Sequence, residues 1–130
     1  MKSPEEQVKL TQFVAKIAKE NEARVAWGTE ALHAVVAVKG EEYTHNKKAD
    51  DAGHVGPFGN FIYASCLYQA ITKKSPVGHP LRKIKTTTWK VRFGDDISAD
   101  SPVYETEIPE EDAQFIQKKV EEIQGKLSGS

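Results

Sequence analysis

Apolar residues recur at helical spacing near both ends of the chain, run almost unbroken through the middle, and alternate with charged residues in between. Val8, Leu10, Phe13, Val14, Ile17 and Ala18 follow Ser3-Pro4-Glu5-Glu6, a capping box with proline at the first helical position. The pattern predicts an amphipathic helix ending near Asn21. Ala23-Arg24-Val25-Ala26-Trp27 is short and β-prone and stops at Gly28, after which Thr29 is placed to cap a second short helix through Val36. Residues 39–56 are polar, with glycines at 40, 53 and 56, and read as a long surface loop. Pro57 to Thr72 is apolar on nearly every side, the mark of a helix buried against a sheet or a partner, and Ser75-Pro76-Val77-Gly78 ends it.

Two strand-like stretches follow. Thr87 to Phe93 and Tyr104 to Ile108 alternate apolar and charged residues, with Gly94-Asp95-Asp96 and Ser101-Pro102 between them. The expected hairpin, at about 85–108, buries Trp89, Val91 and Phe93 with Tyr104 and Ile108, and sets Lys90 and Arg92 opposite Glu105 and Glu107. The last helix opens at Pro109 with Glu110, Glu111 and Asp112 in its first turn, and Ala113, Ile116, Val120, Ile123 and Leu127 form its packing stripe. Ser128-Gly129-Ser130 reads as a flexible tail or a cloning scar. Helix, strand and helix in succession predict an α/β fold, with residues 1–127 as one domain.

Composition supports this and removes several classes of function. A chain of 130 residues and 14.4 kDa with 38% hydrophobic and 28% charged residues is long enough to bury its own core. No apolar run approaches the ~20 residues of a membrane span, and Met1 to Glu6 lacks the apolar region of a secretory signal, so the expected location is cytoplasmic, without membrane contact. Seven basic residues lie between Lys73 and Arg92 without an acidic one, and eight acidic residues lie between Asp95 and Asp112 without a basic one. The two blocks neutralise each other across the hairpin, and no nucleic-acid stripe remains. The single cysteine, Cys66, sits in the most apolar segment and reads as a small core residue. His33, among apolar neighbours, reads as a core or rim histidine.

Chemistry concentrates in Asp51-Ala52-Gly53-His54. An aspartate three residues before a histidine, in a turn leading into a helix, can turn its carboxylate toward the imidazole and orient it as a general base. His45, Asp50, Asp51 and His54 together carry metal-ligand types, yet their spacing matches no closed motif, and neither a metal nor an organic cofactor is expected.

This block, with Gly59 five residues after the histidine and the apolar helix ending in Ser75-Pro76-Val77-Gly78, resembles the last conserved block of the SGNH (GDSL-type) hydrolases. The resemblance runs from about residue 5 to 78, with the stretch from 83 to 108 as an insertion and the helix from Pro109 as a family-like tail. It implies the C-terminal part of a flavodoxin-like three-layer architecture, with His54 as the base that activates a serine and Asp51 as its orienting partner, acting on an ester or an O-acetylated carbohydrate. The family's Gly-Asp-Ser nucleophile block and its oxyanion-hole glycine and asparagine do not precede the dyad, and Gly94-Asp95-Asp96 carries Asp96 where the serine would stand. The resemblance therefore implies a truncated homologue that is not catalytic as an isolated chain, or one half of an esterase completed by a complementary chain. A fragment of such a sheet would leave apolar faces uncovered, so a homodimer is expected.

Overall fold

The computed structural model of the protein describes residues 3–45, 54–87 and 103–128. Asp50 and Asp51 of the candidate chemistry, and Trp89, Val91, Phe93 and Asp96 of the expected hairpin, lie outside them. Among the described residues five helices and one pair of strands follow in the order α1 (Pro4–Glu20), α2 (Gly28–Lys39), α3 (Glu41–Thr44), α4 (Pro57–Thr72), β1 (Lys83–Thr87), β2 (Val103–Glu107) and α5 (Glu110–Leu127). The fold is mostly helical, and the described strands form one antiparallel pair.

The core lies where α2, α4 and α5 pack on one another. Leu32 and Val35 from α2, Phe61, Ile62 and Cys66 from α4, and Ala113, Ile116 and Val120 from α5 form one buried cluster, with Ile108 closing it from the end of β2. Burying a side chain such as Ile62 or Ile116 stabilises the fold by roughly 1.5–3 kcal/mol, so these few residues supply its main driving force. Gly28 permits α2 and α4 to close up, because a Cβ there would stand 2.1 Å from the Tyr63 ring.

The capping box of α1 forms as expected, with Ser3 Oγ accepting the Glu6 amide at 3.2 Å. The helix docks, however, on a face other than its most apolar one. Gln7, Thr11, Val14, Ala15 and Ala18 are half-buried, a stripe at three-four spacing, whereas Phe13 (60% exposed), Leu10 and Ile17 face outward. Hydrogen bonds choose the docking face. Glu30 of α2 accepts from Gln7 Nε2 at 3.1 Å and from Thr11 Oγ1 at 2.9 Å, and the helix rotates to make both.

Three expectations need correction. Residues 23–27 do not form a strand, and none of the described strands lies beside them. In its place Gln124 Nε2 donates to the Val25 carbonyl at 2.6 Å and Gln124 Oε1 accepts the Trp27 amide at 2.9 Å. Thr29 does not cap α2, whose N-cap position is Trp27. The hairpin begins earlier than expected: β1 is Lys83–Thr87, paired so that Lys83 opposes Glu107 and Lys85 opposes Glu105. Ile84 and Ile108 set this register by turning toward the core, and Arg82 reinforces it, its carbonyl accepting the Ile108 amide at 2.7 Å and its guanidinium donating to the Ile108 carbonyl at 3.1 Å. The acidic and basic blocks do meet, through Arg82–Glu107 at 3.6 Å and Lys83–Glu105 at 3.8 Å.

A second buried glutamine repeats the clamp made by Gln124. Gln117, one heptad earlier on α5, accepts the Gly78 amide through Oε1 at 3.1 Å and donates through Nε2 to the His79 carbonyl at 3.2 Å. Replacing either glutamine by leucine strands two backbone groups, each costing about 1–3 kcal/mol when left unpaired. Gln124→Leu and Gln117→Leu are each expected to lower the unfolding free energy by about 2–4 kcal/mol, while the exposed Lys118→Ala stays within about 0.5 kcal/mol. Urea denaturation reads this directly, and losses under about 1 kcal/mol would mean that water takes over the glutamines' role.

Candidate functional site

His54 stands two residues ahead of Gly56, the N-cap of α4. The chain arrives there through a small polar frame. α3 ends at Thr44, which is fully buried, and its carbonyl accepts the Gly56 amide at 2.7 Å. His45 and Val55 form an isolated antiparallel bridge beside it. This frame explains Gly59: a Cβ at that position would lie 2.6 Å from Val55 Cβ and 2.7 Å from the Thr44 carbonyl oxygen. Gly59 is thus required by close approach of the first turn of α4 to the residues that deliver His54.

Pro57 starts the helix, its fixed φ suiting the first helical position. The next residue, Phe58, stacks on Tyr43 at 4.6 Å between ring centroids. Tyr43 Oη donates to Asp112 Oδ1 at 2.6 Å, which ties α3 to the first turn of α5. Burial, then the hydrogen bond to Asp112 and that residue's charge, push the Tyr43 phenol well above its ordinary range, so it stays protonated as a donor. Lys39 lies over the rings of Tyr43 and Phe115, at 5.6 and 4.9 Å from their centroids.

His54 is exposed at the surface of this frame. Its expected partner Asp51 lies outside the described residues. His45 is half-buried and contacts Thr44 Oγ1 through Nδ1 at 2.9 Å. Thr44 Oγ1 also lies 3.2 Å from the Glu41 carbonyl, to which it donates within α3. His33 is half-buried on α2, in keeping with a rim position. Among the described residues no three metal-ligating side chains cluster.

The described serines and the thiol have other tasks. Ser65 is buried and donates to the Phe61 carbonyl at 2.8 Å. Ser3 caps α1, Ser75 bonds Glu121, and Ser128 accepts from Gln124. Cys66 is fully buried, and burial first, then the charge of Glu30, pushes its thiol up to about 12. Ser65 and Cys66 also lie more than two turns along α4 from its start, about 12 Å by helical rise.

No protein-family model, curated protein or solved structure matches this chain.

Sequence patterns had located the span of α4, and the resemblance had singled out Gly59, whose role here is the close approach to Val55 and Thr44. They had missed Thr44, the Tyr43–Asp112 bond and both clamping glutamines. The glutamines did leave a trace, since Gln117 and Gln124 fall on the apolar stripe of α5 seven residues apart, where a polar residue calls for a buried partner.

The state of Cys66 yields a check on this environment. With its thiol near 12 when folded and 9.0 ordinarily, the unfolded chain loses this proton first, so the thiol's contribution is full below about pH 9 and is lost as pH rises toward 12. The native protein is expected to resist alkylation by iodoacetamide at pH 8 and to react fully in guanidinium, as read by intact mass. Rapid labelling without denaturant would contradict the burial of this residue.

Proposed function

We propose that the chain is a hydrolase-like α/β module that keeps the base and its orienting carboxylate, His54 and Asp51, without a nucleophile of its own, and is therefore not catalytic alone. The observation that carries the reading is the commitment of the described serines and the cysteine: Ser65 is bonded within its own helix, Cys66 is buried and protonated, and Ser3, Ser75 and Ser128 serve structural bonds. Acyl transfer by a general base needs a free hydroxyl or thiol beside it, and the described serines and the cysteine are engaged elsewhere. Exposure of His54, together with a first turn of α4 built tightly enough to need Gly59, suits a base offered outward to a group from elsewhere.

The finer architecture belongs to the same proposal. The helices α1, α2 and α4 are read as part of a larger three-layer fold whose strands come from a complementary chain. That second reading, a half of a partner-completed esterase, is favoured by apolar side chains left outward on α4, Leu67 (51% exposed) and Ile71 (68%). Homodimerisation is the simplest way to cover them.

Hydrolysis of p-nitrophenyl acetate by the purified chain, beside His54→Ala and with light scattering for mass, tests the proposal. The expected outcome is a rate within about twofold of the variant, no labelling by a fluorophosphonate probe, and a mass of twice 14.4 kDa. Turnover about a hundredfold above the variant, with a labelled serine, would overturn it and place a nucleophile in the chain.

A further inference from the structure

α1 is seated on the molecule without being part of its core. None of its residues is buried, and none belongs to the apolar cluster of α2, α4 and α5 or packs against it. Among the described residues, the side-chain hydrogen bonds that hold the helix all converge on Glu30, which accepts from Gln7 at 3.1 Å and Thr11 at 2.9 Å. The core therefore stays closed when α1 is displaced, and the displaced helix needs only a seat that presents the same carboxylate.

The chain beyond α1 marks out a short hinge. Arg24 donates to the Ile71 carbonyl at 2.9 Å, and Gln124 holds Val25 and Trp27, so the chain is fastened to the body from residue 24 onward. Only residues 21–23 reverse its direction. They do so by a tight helix-ending turn, with the Glu22 amide on the Lys19 carbonyl at 3.3 Å and the Ala23 amide on the Ala18 carbonyl at 2.8 Å. Glycine usually occupies the left-handed position of such a turn, but here it is a glutamate, at φ +52°. Its Cβ crowds the following carbonyl oxygen, and straightening the turn relieves the clash.

We propose that α1 is exchanged between two copies of this chain. In a closed two-fold dimer each α1 lies on the other copy's α2, with Gln7 and Thr11 donating to the other copy's Glu30. The occupant fits by construction, because it is the helix already seated there, so every docking contact recurs and the hinge tips the balance. A straightened chain from Glu20 to Arg24 spans at most about 14 Å. The last turns of each exchanged helix thus lie between the two bodies, which gives Phe13 and Ile17, exposed in the single chain, a second surface to pack against. The inference rests on the homodimer proposed above and not on the hydrolase-like chemistry.

Two hinge variants at exposed Glu22 test it by light scattering across a dilution series. Glu22→Gly removes the clash from the closed chain and is expected to raise the dimer's dissociation constant by roughly fivefold for each of its two hinges, about twentyfold together. Glu22→Pro cannot take a positive φ and lacks the amide that bonds Lys19, so it is expected to remain a dimer where Glu22→Gly has become a monomer. Connectivity is read separately, by mixing a Thr11→Cys chain with a Glu30→Cys chain, both carrying Cys66→Ala, and adding a short bis-maleimide. Exchange expects a covalent two-chain product from the mixture well above that from either variant alone. A dimer without that product overturns the exchange and leaves a face-to-face homodimer. A monomer at every concentration overturns both, and equal dissociation of the glycine and proline variants overturns the role of the hinge and the exchange with it.

Discussion

The fold depends on two side-chain carboxamides that do the work of missing backbone partners. Gln124 bonds the carbonyl of Val25 and the amide of Trp27, the two groups flanking Ala26 that one residue of a neighbouring parallel strand would engage. A carboxamide is the side chain suited to this, since its oxygen and nitrogen reproduce one peptide unit; glutamate would lose the donor and leucine would lose both groups. The contact joins residues 97 to 99 positions apart, so it fixes where α2 begins relative to α5. Gln117 does the same for the turn that leads α4 into β1. Loops that would otherwise carry unpaired backbone groups are thereby fastened to one helix, and the apolar faces of α2, α4 and α5 can close.

At the other end of α4 the constraint is one of volume. Gly28 beneath the Tyr63 ring and Gly59 against Val55 and the Thr44 carbonyl allow α4 to approach α2 and α3 more closely than any larger residue permits. Tyr43 then locks the frame, stacked on Phe58 and bonded to Asp112. Exposed His54 is therefore carried on a segment packed from beneath by Gly59, Val55 and the Thr44 carbonyl.

How much of this was legible in sequence follows from the range of each interaction. The capping box of α1, the proline start and full span of α4, and the acidic first turn with the apolar stripe of α5 are local patterns, and each appears as read. The strand at 23–27 was misread because β-propensity describes a fit to a sheet, and the described chain places a glutamine there in place of a neighbouring strand. The hairpin register was misread because the strongest alternation, from Thr87 to Phe93, drew attention from Ile84, whose packing against the core decides the pairing. Asp51 and His54 were legible as residue types in a plausible turn, but whether they meet depends on residues 46–53, outside the described structure.

α1 shows how polar contacts can override the hydrophobic pattern and what that leaves behind. Leu10, Phe13 and Ile17 would bury more apolar surface than Val14, Ala15 and Ala18, yet Glu30 draws Gln7 and Thr11 inward, and turning the helix would leave that carboxylate without both donors. The same carboxylate lies near enough to Cys66 to raise its thiol, which places Glu30 at the edge of the core, where lost hydrogen bonds carry their largest penalty. Rotation of α1 is thus opposed from inside the molecule. Its apolar stripe of Leu10, Phe13 and Ile17 therefore stays outward, because turning it inward would break both Glu30 bonds at once.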